Sequence, residues 1–149
     1  MYFLSFYTKF PEIAEGEVGM VEVKKGAPVP AGLYAFLENY CDDPECDCRK
    51  VMINVVDAKK NDCILATIGY GWESEKFYIE WMGDKKMGKE MTGAYLEMAG
   101  VQSKHAREFL QLWKMMTVKN KEYVKRLKKH YVMWKRMSNF EDVSVSSQK

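Results

Sequence analysis

Residues 32–56, Gly32-Leu-Tyr-Ala-Phe-Leu-Glu-Asn-Tyr-Cys-Asp-Asp-Pro-Glu-Cys-Asp-Cys-Arg-Lys-Val-Met-Ile-Asn-Val-Val56, decide the fold. Leu33–Tyr40 alternates, with Leu33, Ala35 and Leu37 on one side and Tyr34, Phe36, Glu38 and Tyr40 on the other, the period of a β-strand. Val51–Val56 repeats the β-rich pattern. The polar stretch between them, with Pro44 and four acidic residues, cannot continue either strand and reads as a hairpin connection. Ile64–Tyr70 follows after the turn residues Ala58-Lys-Lys-Asn-Asp62, so three successive strands with short links predict an antiparallel meander.

Working outward, Tyr2–Tyr7 and Val18–Val23 read as two earlier strands, the second closed by the breaker-rich Lys25-Gly-Ala-Pro-Val-Pro-Ala-Gly32. Beyond Gly69-Tyr70-Gly71 the period changes. Ser74 is placed to cap a helix carrying Phe77, Tyr78 and Trp81. Gly83, Gly88, Gly93 and Gly100 make 82–100 read mostly as loop. Ser103 can cap a helix with Ala106, Phe109, Leu110, Trp113 and Met116 at helical spacing. Asn120 can cap another, striped by Tyr123, Leu127, His130, Tyr131 and Trp134. Residues 138–149 are polar and carry no stripe, so they read as a flexible tail after a single domain at 1–137. Strands first and helices later predict an α+β fold, an antiparallel sheet with C-terminal helices on one face.

Three of the four cysteines, Cys41, Cys46 and Cys48, fall within eight residues of the hairpin connection. If Cys41 ends one strand and Cys48 begins the next, pairing across the hairpin brings their Cα atoms to about 4.5–5.5 Å. Cys46 can fold over the same point. Thiolates crowded on one turn suit zinc, which takes four donors tetrahedrally with Zn–S distances of about 2.3 Å. Reduced or redox-active thiols and a Cys41–Cys48 disulfide satisfy the same spacing. The N-terminus lacks the basic n-region of a signal peptide, and no apolar run approaches the roughly 20 residues that span a bilayer, so the expectation is a cytoplasmic chain without a membrane span. In a reducing compartment zinc is the favoured occupant.

Cys63 drops out as the fourth ligand. One strand leads away from the cysteine turn and the next leads back, which at ~3.3 Å per residue puts Cys63 roughly 25 Å from Cys48. It reads instead as a buried core thiol. The candidates that remain are His130, His105, a local carboxylate or water. His130 is preferred because its stripe must pack inward.

The net charge of +2 hides a division of the chain. Residues 1–113 carry 13 basic and 18 acidic side chains, whereas 114–137 carry 9 and 1. Lys121, Lys125, Arg126, Lys128 and Lys129 are thus a candidate footprint for nucleic acid or an acidic protein partner. A solvated helix face explains the same residues. No G-x-G-x-x-G, P-loop, H-E-x-x-H or C-x-x-C occurs, and no nucleophile has an evident base, so the chain reads as a non-enzymatic interaction or accessory domain. The alternative is a thiol-based redox or metal-handling protein using Cys46 and Cys48.

Residues 32–51, together with Ala66-Thr-Ile-Gly-Tyr-Gly-Trp-Glu73 and Tyr123-Val-Lys-Arg-Leu-Lys-Lys-His-Tyr131, resemble the N-terminal domain of an uncharacterised prokaryotic family, the SEC-C metal-binding domain-containing proteins. The resemblance spans about residues 30–135. Some members of that family carry a separate C-terminal cysteine-rich knuckle, with which this sequence ends without a match. The family's metal label belongs to that knuckle, and the resemblance implies no activity. It favours His130 over His105, because His130 lies within a matching motif.

Overall fold

The computed structural model describes residues 2–147, and the side chains of all of these except 61, 62 and 141–147. The meander is present as β3 (Gly32–Cys41), β4 (Lys50–Asp57) and β5 (Lys60–Gly71), extended at one edge by β6 (Gly93–Leu96). At the other edge β1 (Phe3–Ser5) and β2 (Gly19–Val23) share one side of β3, β1 pairing with 39–41 and β2 with 32–36. All pairings are antiparallel.

The alternation read in β3 sets the two faces. Tyr34, Phe36, Glu38 and Tyr40 share a face with Val51, Ile53 and Val55 of β4 and with Ala66 and Ile68 of β5. Helices α4 (Ala106–Lys119) and α5 (Lys121–Ser147) cover that face. Phe109 meets the Tyr34 ring at 4.9 Å and Trp113 meets Tyr70 at 5.2 Å. Phe36, Ile53, Val55 and Leu127 are fully buried, each worth about 1.5–3 kcal/mol relative to exposure. This is the α+β arrangement that the order of strands and helices predicts.

Two of the predicted caps are made as expected: Ser74 Oγ accepts from Phe77 N–H at the start of α2 (Glu75–Met82), and Asn120 Oδ1 accepts from Tyr123 N–H. Ser103 does not cap. Its carbonyl accepts from Ala106 N–H, and α4 begins after His105 without a side-chain cap.

Four segments differ from the sequence reading. The N-terminal strand is only three residues long, because β1 gives way to a 3-10 turn, Phe6–Thr8, that drives Phe6 into the core. A short helix, α1 (Pro11–Glu17), then leads into β2; its sequence carries no apolar stripe, only Pro at the first turn. Within 82–100 lie α3 (Lys85–Glu90) and β6. Here the glycines are packing devices: Gly83 takes φ +71° to end α2, and a Cβ on Gly88 would come within 2.5 Å of the Ile79 backbone, so the α2–α3 contact requires its absence. Finally, α5 does not end at Met137. It runs to Ser147, and Ser138 is buried, taking a hydrogen bond from Lys9 Nζ and donating one to Asp42.

Candidate metal centre

Cys41 is the last residue of β3, paired with Phe3 of β1. The β3–β4 ladder stops at Asn39 opposite Met52, and β4 starts at Lys50, so Cys48 lies in the connection and not in the strand. Cys41 and Cys48 therefore meet through the fold of the loop. Asp43 shapes that fold: its Oδ1 accepts from Glu45 N–H and its carbonyl from Cys46 N–H. Arg49 then turns the chain with φ +47°, a left-handed conformation rare outside glycine.

The Sγ atoms of Cys41, Cys46 and Cys48 all lie within 4.8 Å of one another, a cluster that can hold a metal ion. Cys41 and Cys48 are buried and Cys46 is partly exposed. Hydrogen bonding from the Cys48 thiol, aided by Asp43 N–H and the Lys135 charge, brings Cys41 down to about 5 despite burial. Cys48 is pushed well above the ordinary thiol range, first by donating to Cys41 and then by burial. Cys46 is raised by burial and the Cys41 charge. The three thiols thus pull apart, Cys41 lowered and Cys46 and Cys48 raised, and a cation that took all three sulfurs would have to displace the protons of the raised pair.

Helix α5 grips this loop with three residues of one face. Trp134 Nε1 and Lys135 Nζ both donate to the Cys41 carbonyl at 3.0 Å, and Lys135 also donates to the Asp43 carbonyl at 2.8 Å. The Tyr131 hydroxyl accepts from Arg49 N–H and donates to Asp47, each at 3.1 Å. The spacing of 131, 134 and 135 is that of adjacent positions on one helix turn. From the other side Tyr78 of α2 donates to the Arg49 carbonyl at 2.6 Å.

The expected fourth ligand is elsewhere. His130 is buried, but Glu38 Oε1 lies 2.7 Å from its Nδ1 and Glu17 Oε2 lies 2.6 Å from its Nε2. Both nitrogens are thus engaged by carboxylates, and no lone pair faces the thiols. The ring stacks on Phe6 at 4.3 Å, while the Tyr40 hydroxyl donates to Glu38 at 2.6 Å. His105 stands at the N-cap of α4, half-buried and outside the cluster. Cys63 lies outside it too, as strand length requires. It is exposed, not buried: the β4–β5 register shifts between Val55 and Asp57, and Cys63 sits in that irregular stretch near the hairpin tip.

The available signal for Glu38 was its place as the one carboxylate among Tyr34, Phe36 and Tyr40 on one side of β3, since a carboxylate buried with them requires a donor. Tyr131 and Lys135 gave no such signal, since tyrosine and lysine suit any amphipathic helix. On α5, Lys121, Lys125, Lys128 and Lys129 are exposed, whereas Arg126 is half-buried over the Tyr123 ring. No helix among the described residues is long and apolar enough to cross a membrane. Searches against protein-family models, curated proteins and solved structures match nothing to this chain.

Proposed function

We propose that this is a zinc-dependent, non-enzymatic interaction or accessory domain whose metal holds the 42–49 loop in place. The observation that carries the reading is the convergence of three thiols, one from the end of β3 and two from the loop that follows it, two of them buried. Soft thiolate donors favour zinc among the abundant divalent ions. The loop carries Asp42, Asp43, Glu45 and Asp47, whose combined charge also favours a cation. An ion there would join the end of β3, the loop and, through the Lys135 and Trp134 contacts to Cys41, helix α5.

Metal analysis of protein purified without added zinc tests this. The expected result is about one zinc per chain, with loss of structure around the loop on chelation. Metal-free protein with three freely alkylated thiols in its native fold would sink the proposal and favour thiol chemistry at Cys46 and Cys48.

A further inference from the structure

The three cysteines leave a tetrahedral ion one donor short. Each nearby side chain able to supply it is engaged elsewhere, or is not in place. Asp42 Oδ1 takes Lys9 at 2.7 Å and Ser138 at 3.2 Å. Asp43 Oδ1 takes Glu45 N–H, and Asp47 takes both the Arg49 guanidinium and the Tyr131 hydroxyl. His130 is held between Glu17 and Glu38. Glu45 is exposed and does not join the group of mutually close ligand atoms. Among the described residues, then, three thiols make up the whole set, and the partly exposed Cys46 marks the side from which solvent reaches it.

We infer that the centre is completed from outside the chain, by a neutral nitrogen donor of the imidazole class that enters on the Cys46 side. The inference rests on the zinc reading above. Charge selects the donor. Three thiolates around a divalent ion sum to −1, which the ammonium beside them, Lys135 at the Cys41 and Asp43 carbonyls, already balances, and Asp43 and Glu45 are exposed on the same loop. A fourth thiolate or a carboxylate would bring an unbalanced negative charge into this acidic rim, whereas imidazole adds none. Its nitrogen lone pair replaces a solvent molecule at the ion, with no change in oxidation state or protonation of the three thiolates. The same rim favours an imidazole flanked by cations, as on a basic partner segment.

Cobalt(II) substitution tests both levels. The full chain is loaded with cobalt and its thiolate charge-transfer and ligand-field bands are recorded. It is then titrated with free imidazole, with a short peptide whose histidine is flanked by arginines, and with a small thiol. The expected result is retained tetrahedral, thiolate-rich cobalt bands that shift saturably with imidazole and with the peptide. At low salt the peptide is to bind at least tenfold more tightly if the donor belongs to a basic partner, and equally if it is a small molecule. The variant Glu45→Gln is to keep the resting spectrum. Bands indifferent to imidazole, tighter binding of the thiol than of imidazole, or a resting spectrum altered by Glu45→Gln would each overturn the inference while leaving the metal centre standing. A chain that takes up no cobalt would overturn the zinc reading, and this proposal with it.

Discussion

Helix α5 is fastened to the sheet by two polar clusters separated by less than one helical turn, and they differ in kind. At His130 the chain supplies both sides of the charge: a buried imidazole with a carboxylate on each nitrogen, capped by the Tyr40 hydroxyl. At Tyr131, Trp134 and Lys135 it supplies a frame of hydrogen bonds and a single ammonium around three thiols close enough together to hold an ion. The first cluster is closed and reads as a structural ion pair; the second is open and reads as a place for an ion. Proximity to the apolar stripe predicts burial for both, but only the count of partners separates ligand from lock.

Removing His130 is the strongest way to break this comparison. His130→Ala strands Glu38 as a buried carboxylate, and loss of one partner of such a pair costs about 3–5 kcal/mol. Urea denaturation should show that loss while zinc stoichiometry in the folded protein is unchanged. A variant that keeps its stability but loses zinc would reverse the roles of the two clusters. Cys48→Ser should do the opposite, abolishing zinc uptake and leaving the His130 cluster intact. In wild type, free zinc at a thousand times Kd is expected to add about 4 kcal/mol of stability that Cys48→Ser does not show.

The part of this contrast that was legible in the sequence follows from periodicity. The alternation of 33–40 grouped Glu38 with Tyr34, Phe36 and Tyr40 without saying which face is the core, whereas the stripe of α5 placed His130 inward, so only the burial of His130 could be read. Strand length removed Cys63 from the metal site. What periodicity does not encode is which buried groups meet. The two partners of His130 come from the end of α1, a helix without a stripe, and from the stretch of β3 between its pairings with β1 and β2. Cys63 was misjudged because a β-rich context implies burial only where something covers the strand. The burial of Ser138, the first residue of the expected tail, was not legible because it comes from hydrogen bonds to Lys9 and Asp42, and polar burial leaves no hydrophobic pattern.

A smaller effect sharpens the open cluster. Tyr131→Phe removes one acceptor and one donor from the loop without changing the apolar packing, at a cost of about 1–2 kcal/mol. It should weaken zinc binding as well, because Arg49 N–H and Asp47 lose the group that orders them beside Cys48. Stability loss with unchanged zinc affinity would show that the loop is shaped by the thiols alone.

The mildest expected effects are in pH, and they run in opposite directions. Burial pulls His130 down, but hydrogen bonds and charges from Glu38 and Glu17 outweigh it and hold the imidazole above its ordinary value. A raised folded-state value means that this stabilisation is fully present below about pH 6.5 and is lost as pH rises through the folded value, with a slope of at most about 1.4 kcal/mol per pH unit. Glu17 is lowered, chiefly by its hydrogen bond to His130, so its own contribution is present above its ordinary value and is lost as pH falls through the folded one. Zinc affinity must instead improve with rising pH, because Cys46 and Cys48 are raised and their protons have to leave. Denaturation curves and zinc titrations over the same pH series should therefore diverge on the alkaline side, and parallel curves would mean that the two clusters are not independent.

X-ray absorption at the zinc edge of the purified, full-length protein tests the central claim most directly. The account predicts three sulfur donors at about 2.3 Å and one nitrogen or oxygen donor, a spectrum that His130→Gln leaves unchanged. Four sulfurs, fewer than three, or a nitrogen donor that disappears in His130→Gln would contradict it.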